Sequence, residues 1–474
     1  MPDVHTADDS LLGRVQAPAA TGRAIPDAAT GETIGYAPEQ RVADVDAAVE
    51  RARAAQPEWE ALGHEGRTAL LLRAADLIEE HAEELARLLS REQGKPLNGT
   101  NARFEVGGCV AWLRTAATLA LQPEVVIDDG TDYAQLTYRA LGVVAAIGPW
   151  NWPLMITIWQ IAPALRMGNT VVVKPSEYTP LGVLALVELL NRVLPAGVLI
   201  PVVAADRAVG ARLAAHPDVD KVMFTGSTAT GRRIVEASAA NLARLTLELG
   251  GNDAGIVLPD ADPKAIAEDL FWGAFINTGQ TCAALKRLYV HESIHDEVVA
   301  ALAEVAGRMP MGYGLDEDSV LGPLQNATQF GIVQRLVDDA LACGGKAVVG
   351  GEPAPELGAN FFRTTIVTEV TDGFSLVDEE QFGPVLPVIR YTDIDDAIAR
   401  ANRLDVGLGA SVWSSDRAKA RQVAARLRAG TVWINAHGMV HPLIPFGGVK
   451  NSGYGLEFGA EGLKAVAEPR VING

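Results

Sequence analysis

The residue best suited to nucleophilic chemistry in this sequence is Cys282, in the stretch Asn-Thr-Gly-Gln-Thr-Cys-Ala-Ala that begins at residue 277. Most free cysteines simply pack in protein cores. Here the neighbouring side chains are small or polar, which would leave the sulfur accessible. A cysteine thiolate attacks carbonyl carbons, although an ordinary thiol is only slightly ionised at neutral pH and needs activation. A complete mechanism also requires an oxyanion donor, a base and an electron acceptor.

An oxyanion donor is available in Pro149-Trp-Asn-Trp-Pro, which follows an apolar strand predicted over residues 143–147. Prolines and large aromatic rings would hold the amide of Asn151 rigidly at the carboxyl end of that strand. A preplaced amide N–H stabilises the oxyanion formed when a nucleophile attacks a carbonyl. An alternative reading is that Asn151 caps the next helix, with Pro153 in its first turn. The two roles could be filled by different atoms.

A candidate base is Glu248, inside the apolar segment Leu-Thr-Leu-Glu-Leu-Gly-Gly that begins at residue 245. Burial raises the pKa of a carboxyl group, so that it can accept a proton near neutral pH. The alternative is a buried glutamate paired structurally with an arginine or lysine.

Two more loops have features of a dinucleotide site. Lys174-Pro-Ser-Glu follows an apolar strand, and its carboxylate could bind ribose hydroxyls. Phe224-Thr-Gly-Ser precedes a helix whose N-terminus would favour phosphate. Each could instead be an ordinary surface turn, and the segments Glu380-Gln-Phe-Gly-Pro and Pro445-Phe-Gly-Gly are ambiguous alone. The histidines show no metal-ligand spacing, so no metal is expected.

The composition restricts the class of protein. A chain of 474 residues should form two or three domains, and 48% hydrophobic with 21% charged residues is typical of a soluble globular protein. A net charge of -19 argues against binding to nucleic acid or to an anionic membrane surface. Three cysteines and an acidic N-terminus without a secretory signal favour the cytoplasm. The most apolar run, residues 152–167, is predicted to be a buried helix rather than a membrane span.

The elements that would position these residues are read from periodicity. Helices are predicted within residues 41–119, followed by two short strands within 121–140. Strands and helices then alternate from residue 141, with strands at 143–147, 170–174, 202–205, 221–225 and 245–249. A second alternation follows residue 251. Continuous apolar strands between helices predict an α/β fold of two doubly wound domains. The ribbon at 121–140 would be unstable alone and would need another surface, plausibly another subunit.

Taken together, the motifs resemble those of the NAD(P)-dependent aldehyde dehydrogenase superfamily, in the same order and spacing from about residue 41 to the end. The seven motifs are Pro149-Trp-Asn-Trp-Pro, Lys174-Pro-Ser-Glu, Phe224-Thr-Gly-Ser, Leu247-Glu-Leu-Gly-Gly, Gly279-Gln-Thr-Cys, Glu380-Gln-Phe-Gly-Pro and Pro445-Phe-Gly-Gly. The resemblance implies an NAD-binding domain (1–119 and 141–249), a catalytic domain (250–445) and a small β oligomerisation arm (120–140 and 455–474). It therefore implies a homodimer or homotetramer.

The resemblance also implies roles for individual residues. Cys282 would be the nucleophile, Asn151 and the Cys282 amide the oxyanion hole, and Glu248 the base that activates water. Lys174 and Glu177 would hold the adenine-side ribose, Ser227 the pyrophosphate, Glu380 the nicotinamide ribose, and Phe382 would pack at that end. The cofactor residues are Trp150, Lys174, Ser176, Glu177, Gly210, Phe224, Thr225, Gly226, Ser227, Leu249, Glu380 and Phe382. The substrate tunnel would include Met155, Ile156, Trp159, Thr281, Ala283 and Val440.

The implied reaction is oxidation of an aldehyde to a carboxylic acid through a Cys282 thioester that water hydrolyses. The charge of Glu177 favours NAD over NADP. The tunnel residues are mostly apolar, and Trp159 stands where succinic-semialdehyde enzymes have arginine, so an uncharged aliphatic or aromatic aldehyde is expected. Asn252-Asp253 replaces a common lysine and is expected to alter packing more than chemistry. Two alternatives remain: a CoA-acylating aldehyde dehydrogenase, which generally lacks the Glu248 carboxylate, and an inactive binding protein on the same fold.

Overall fold

A computed structural model describes residues 10–474 of the chain. The N-terminal part is mainly helical and ends in a β ribbon. Its elements are α1 (Leu11–Val15), β1 (Arg23–Pro26), β2 (Thr33–Ala37), α2 (Val42–Ala61), α3 (Gly63–Glu80), α4 (Ala82–Gln93), α5 (Ala102–Thr118), β3 (Glu124–Asp128) and β4 (Tyr133–Ala140). The prediction that the N-terminus is not a secretory signal concerns mainly residues 1–9, which lie outside the described part.

Residues 141–248 alternate between strand and helix as predicted. They form β5 (Val143–Ile147), α6 (Pro153–Arg166), β6 (Thr170–Lys174), α7 (Pro180–Asn191), β7 (Leu199–Pro201), α8 (Arg207–Ala214), β8 (Lys221–Thr225), α9 (Thr228–Ser238) and β9 (Arg244–Glu248). The prediction of a strand at 202–205 was wrong: the paired strand is β7. The surrounding run, residues 198–204, is almost uniformly apolar, so no alternation marks which part pairs with β6.

The remainder builds a second α/β unit and the C-terminal tail. Its elements are β10 (Asp253–Val257), α10 (Pro263–Phe275), a 3₁₀ turn (Ile276–Gly279), β11 (Leu285–His291), α11 (His295–Gly307), α12 (Ala327–Ala342), β12 (Lys346–Val349), β13 (Thr365–Thr368), α13 (Ser375–Asp378), β14 (Val385–Tyr391), α14 (Ile394–Ala401), β15 (Val406–Gly407), β16 (Gly409–Trp413), α15 (Arg417–Ala424), β17 (Thr431–Ile434), β18 (Val449–Lys450), β19 (Gly453–Tyr454), α16 (Gly459–Ala465) and β20 (Ala467–Asn473).

Two large sheets carry the fold. The first sheet is six-stranded in the order β19-β9-β8-β5-β6-β7, and the second is seven-stranded in the order β12-β13-β14-β11-β10-β16-β17. In the first sheet β5 to β9 are parallel, and only the short β19 runs antiparallel. Strand β5 is buried along its whole length because helices cover both faces. The predicted α/β fold with doubly wound parallel sheets is confirmed.

The strand register brings the motif-bearing loops to one edge of the first sheet. Ile147 is paired with Lys174 and with Phe224, and Thr225 is paired with Glu248. The carboxyl ends of β5, β6, β8 and β9 therefore lie side by side, where ligands of such sheets bind. The cysteine loop precedes β11 and the Glu380 loop precedes β14, so these two loops come from the amino ends of neighbouring strands in the second sheet.

A third sheet of three strands has the order β20-β4-β3. The C-terminal strand β20 pairs with β4 over its full length, so the tail supplies the additional surface that the predicted ribbon required. Apolar side chains nevertheless remain exposed on it: Val125, Val126, Ile127, Val471 and Ile472. Elsewhere, the apolar run 152–167 is the buried helix α6, as predicted. Within residues 10–474 no helix combines the length and the apolarity needed to cross a membrane.

Candidate active site

A cavity of about 820 Å³ lies where the carboxyl edge of the first sheet faces the cysteine and Glu380 loops. This volume is in the range of sites that enclose a small molecule or cofactor. The residues predicted for catalysis and cofactor binding all line it: Trp150, Asn151, Lys174, Ser176, Glu177, Gly210, Phe224, Thr225, Gly226, Ser227, Glu248, Leu249, Cys282, Glu380 and Phe382. Residues separated by more than 200 positions in the sequence thus meet in one cavity.

The loop before Cys282 has an unusual backbone. Asn277, Thr278 and Gly279 adopt left-handed conformations with φ of 51°, 56° and 75°. Such a run is costly for non-glycine residues and persists only when the surroundings hold it. A Cβ on Gly279 would lie 2.1 Å from the Gly383 carbonyl oxygen, so only glycine fits there. The Gln280 side chain secures the turn by donating to Pro323 O and accepting from the Gln325 amide.

Asn151 is held against this loop. Its side-chain Nδ2 donates to the Gln280 carbonyl oxygen at 2.9 Å, and the residue is buried. The alternative reading that Asn151 caps the following helix was wrong, because Trp152 occupies the N-cap position and makes no side-chain cap bond. Pro153 does begin the helix, as that reading expected. The bond to Gln280 uses one N–H of Nδ2 and fixes the position of the Asn151 side chain relative to Cys282. The second N–H of Nδ2 can donate to a ligand.

A fully buried ion pair supports the Asn151 loop and was missed by the sequence reasoning. Lys95 bonds to Glu105 and donates to the Asn151 carbonyl oxygen at 2.9 Å. Glu105 also accepts the amides of Leu154 and Met155 at 2.8 and 3.1 Å, so it caps the N-terminus of α6 from another helix. The only sequence signal is that two charged residues occur in segments that are otherwise core-forming.

The thiol of Cys282 lies among charged groups. Burial raises the pKa of Cys282 to about 12, and the carboxylates of Glu248, Glu380 and Asp253 act in the same direction, whereas Lys286 opposes them. The amide N–H of Cys282 donates to no backbone oxygen among the described residues, which leaves it free for a ligand. Because its pKa is raised, the Cys282 thiol needs activation before it can serve as a nucleophile.

Glu248 ends strand β9 and is buried. Neither of its carboxylate oxygens bonds to an arginine or lysine among the described residues, so the alternative of a structural pair with one of these residues was wrong. Burial raises the pKa of Glu248 well above its usual value, and the nearby carboxylate of Glu457 raises it further. Glu457, which the sequence reasoning missed, is itself buried and has a pKa raised to about 8 by desolvation. A carboxyl group with a raised pKa and no cationic partner is suited to proton transfer.

At the other end of the cavity, polar groups follow β6 and β8. The aliphatic carbons of the Lys174 side chain pass over Gly210. A Cβ added to Gly210 would lie 3.6 Å from them. Burial lowers the pKa of Lys174, and the Glu177 carboxylate partly offsets this. Ser227 is the N-cap of α9, and its hydroxyl accepts from the Thr230 amide. This arrangement can bind hydroxyl groups and an anion at the helix terminus.

Between α8 and α9 the cavity has apolar walls that the sequence reasoning did not identify. They are formed by Ala211, Ala214, Ile234 and Ala237. Small side chains at helical spacing on two facing helices leave a slot for a flat ring. The alanines at one-turn spacing were the available signal, but small residues also occur wherever helices pack closely.

Near Cys282, the Glu380 carboxylate pairs with Lys286 and accepts the Gly251 amide at 3.2 Å. Phe382 has a left-handed backbone (φ 48°), and its ring meets the Trp150 ring edge-on at a centroid distance of 5.4 Å. Asn252 donates to the Val377 carbonyl oxygen, which fits the expected packing role of this position. Lys286 is a further residue that the sequence reasoning missed.

The predicted tunnel residues lie outside the large cavity. Met155, Ile156, Trp159 and Ala283 are buried in one apolar cluster, against which Val440 and Cys282 also pack. The Thr281 hydroxyl accepts from the Trp152 indole at 2.9 Å. Trp159 is in edge contact with the Phe458 ring, at a centroid distance of 4.7 Å. The structure thus gathers these residues on the apolar side of Cys282.

Comparison with known proteins identifies related chains over nearly the whole length. Residues 17–472 match the model of the aldehyde dehydrogenase family. A phenylacetaldehyde dehydrogenase of Pseudomonas fluorescens is 41% identical, covering 94% of this chain and 91% of its own. A betaine aldehyde dehydrogenase of Cereibacter sphaeroides is 40% identical, with 94% and 92% covered. An aldehyde dehydrogenase of Bacillus cereus solved as an NAD+ complex has a TM-score of 0.93 and 35% identity, with 97% and 94% covered.

Proposed function

Because this chain belongs to the aldehyde dehydrogenase family, we propose that it oxidises an aldehyde to a carboxylic acid with NAD and releases the acid by hydrolysis. The observation that carries the proposal is the single cavity that contains Cys282, Asn151 and Glu248 together with the residues expected to bind the cofactor. A nucleophile, an oxyanion donor and a base at one end, and groups suited to ribose and phosphate at the other, form a complete set for this reaction.

The residues around the cavity fit a dinucleotide. Glu177 makes no ion pair in the described part of the chain, so its carboxylate is available for ribose hydroxyls, with Lys174 beside it. The N-terminus of α9 favours a pyrophosphate, and the slot between α8 and α9 suits an adenine ring. Glu380 and Phe382 would hold the nicotinamide end. The NAD+ complex of the Bacillus cereus relative supports this choice of cofactor.

In the proposed mechanism the Cys282 thiolate attacks the aldehyde carbon and forms a thiohemiacetal. The Asn151 amide and the Cys282 backbone N–H donate to the resulting oxyanion. When bound, NAD+ supplies the hydride acceptor. Cys282 then holds the acyl group as a thioester, and Glu248 takes a proton from a water molecule that attacks the thioester carbon. The thiolate leaves, and the product is a carboxylic acid.

For the substrate, we infer an uncharged aliphatic or aromatic aldehyde. The apolar cluster against which Cys282 packs contains Met155, Ile156 and Trp159. The name of the Pseudomonas relative, which refers to an arylalkyl aldehyde, supports an apolar site. A panel of aldehydes assayed by NADH formation tests this. A strong preference for a carboxylated semialdehyde would contradict it, and equal efficiency with NADP would contradict the preference for NAD inferred from Glu177.

We further propose that the chain forms a homodimer or homotetramer through the β20-β4-β3 sheet, whose exposed Val126 and Ile472 suit an interface. Light scattering after chromatography would test this. A cytoplasmic location is consistent with the three cysteines, all of which are free.

The decisive experiment uses two variants. Cys282→Ala should abolish NADH formation and leave NAD binding, measured by fluorescence quenching, within about twofold of wild type. Glu248→Gln should retain the burst of NADH but slow steady-state turnover by about 100-fold or more, because the thioester is no longer hydrolysed efficiently. Intact-protein mass spectrometry should then detect the acyl adduct.

Assays of the wild-type protein and of Cys282→Ala also distinguish the alternative functions. Turnover that requires CoA, together with acyl-CoA as the product, would identify a CoA-acylating enzyme. NAD binding without oxidation of any aldehyde by the wild-type protein would favour an inactive binding protein. Unchanged turnover in Cys282→Ala would refute the proposed nucleophile.

A further inference from the structure

Lys286 lies in strand β11, four residues after Cys282, and its side chain is 2% exposed. Its ammonium group donates to the Cys282 carbonyl oxygen at 2.7 Å and to the Gly251 carbonyl oxygen at 3.3 Å. It also pairs with Glu380. One side chain thereby joins the nucleophile's loop, the loop that follows Glu248, and the carboxylate proposed to hold the nicotinamide ribose.

The charges around Cys282 give this lysine a distinct position. Three carboxylates act on the thiol: Glu248, Glu380 and Asp253. Among the described residues with the largest influence on the thiol, Lys286 is the cation, and it opposes burial and the carboxylates. In a poorly hydrated site a charge near the cysteine has a strong effect, because little water screens it. A nearby ammonium is also a common way to stabilise a thiolate in a protein.

Glu380, the carboxylate partner of Lys286, also bonds to a second protein group and can be reached by a ligand from the cavity. The same Glu380 oxygen Oε1 accepts both from Lys286 and from the Gly251 amide, and the Glu380 side chain is 27% exposed to the cavity. A ligand hydroxyl that bonds to Glu380 would compete with Lys286 for the carboxylate. The ammonium would keep its two carbonyl partners and would remain beside Cys282 with less of its charge neutralised.

We propose that Lys286 is a positioning residue that activates the Cys282 thiol, and that Glu380 restrains this activation until a ribose hydroxyl of the cofactor engages the Glu380 carboxylate. The first part depends only on the protein. The second part rests on the proposed function. The step itself is a deprotonation: the S–H bond of Cys282 breaks, its electron pair stays on sulfur as thiolate, and the proton leaves to water in the cavity.

The alternative is that Lys286 is a purely structural tie between two loops. Removing the lysine or removing Glu380 would then disturb the same tie, and both changes would affect Cys282 in the same direction. Activation by charge predicts opposite directions. Lys286→Met removes the cation and should suppress thiolate formation, whereas Glu380→Gln releases the cation, removes a nearby negative charge and should promote it.

The test is the alkylation rate of Cys282 by iodoacetamide, followed by peptide mass spectrometry without aldehyde or cofactor. In the wild-type protein the rate should rise about tenfold per pH unit from pH 7 to pH 10, because the pKa of about 12 lies above this range. At pH 8, Lys286→Met should react at least fivefold more slowly and Glu380→Gln at least threefold faster. Lys286→Arg, which keeps the charge, should restore the rate to within about threefold of wild type.

Two controls accompany the measurement. The exposed Cys343 in the same samples should alkylate at one rate in all variants. Lys419→Met, at an exposed lysine, should leave Cys282 unchanged. If Lys286→Met does not fold, Glu380→Gln alone decides the question. A slower or unchanged Cys282 in Glu380→Gln, or failure of the arginine variant to restore the rate, would overturn the proposal.

A second arm adds NAD+. It should accelerate Cys282 alkylation in wild type by at least threefold and leave Lys286→Met within about 1.5-fold of its own rate. Equal acceleration in both proteins would refute the link through Glu380. If NAD+ does not bind at all, measured by fluorescence quenching, the proposed function fails, whereas the opposite effects of the two substitutions without cofactor still decide the role of Lys286.

Discussion

Two buried lysine–glutamate pairs flank the reacting centre, and they differ in what else can reach them. Lys95 and Glu105 are both fully buried, and their other hydrogen-bond partners are backbone groups of the Asn151 loop and of α6. Lys286 is equally buried, but its partner Glu380 is 27% exposed and lines the large cavity. The same two side-chain types therefore form one pair sealed in the protein and one pair open to a ligand.

The difference shows how one kind of interaction can serve two purposes. A sealed pair has no competitor, so it can only hold the Asn151 loop at one position relative to Cys282. A pair at a cavity wall can exchange a protein partner for a ligand. Desolvation lowers the pKa of Lys95 to about 8 even though Glu105 opposes the shift, so the sealed pair is maintained against a large burial cost. Its stability contribution depends on both members being present.

The largest effect is expected from removing one member of the sealed pair. Glu105→Ala would leave Lys95 as a buried charge without a partner and would uncap α6, so the free energy of unfolding should fall by about 3–5 kcal/mol. Urea denaturation measures this. The matched control, Glu83→Ala, removes a carboxylate that pairs with Arg103 at the surface and should cost less than about 1 kcal/mol. Similar losses in both variants would mean that the buried pair contributes no more to the free energy of unfolding than a surface pair.

A smaller effect is expected when the sealed pair is replaced as a whole. In Lys95→Met/Glu105→Gln no charge is left buried, and the glutamine oxygen can still accept from the first turn of α6. The free energy of unfolding should change by about 1 kcal/mol or less. Because the Asn151 carbonyl oxygen loses Lys95 and keeps only the Asn277 amide as a donor, turnover of an aldehyde should nevertheless fall by about tenfold while the affinity for NAD is retained. Wild-type turnover in this variant would show that the pair does not position Asn151.

The smallest effect on stability is expected at the open pair. In Glu380→Gln the carboxylate that a ligand can reach is neutralised, and the free energy of unfolding should change by less than about 1 kcal/mol, because Lys286 keeps its two carbonyl partners and only Glu380 is partly exposed. The affinity for NAD should weaken by about tenfold through the loss of charge-assisted hydrogen bonds. Calorimetric titration with NAD and a urea series on the same sample measure both. A destabilisation as large as that of Glu105→Ala would remove the distinction between the two pairs.

The sequence reasoning succeeded where chemistry or periodicity is local. Seven short motifs identified the aldehyde dehydrogenase family, and the family match confirms it. Most of the alternating strands and helices were predicted within a few residues, but the edge strand β7 was misplaced and the strand β13 was not predicted. The domain ranges and the roles of individual site residues stay predictions that the variants above can test.

The failures have a common physical origin. Lys95 and Glu105 are ten residues apart and do not look like a site. Only the packing of α4, α5 and α6 brings Glu105 to the N-terminus of α6 and Lys95 to the Asn151 carbonyl oxygen. The alternative reading that Asn151 caps α6 failed for the same reason: a distant glutamate already accepts from the helix amides. For Glu248, sequence suggested burial, but the absence of a cationic partner and the approach of Glu457 depend on the loop that leads into α16.

By itself the sequence determined the family and the α/β architecture and singled out candidates for the nucleophile, amide and base, because these are encoded in residue types and short-range spacing. Tertiary structure alone decided which charges meet. Hydrogen bonds and ion pairs form over about 3 Å, and the partners that tune Cys282 come from loops separated by many residues in the chain. Two similar lysine–glutamate pairs became one sealed support and one exchangeable contact only when the fold buried the first and placed the second on the cavity wall.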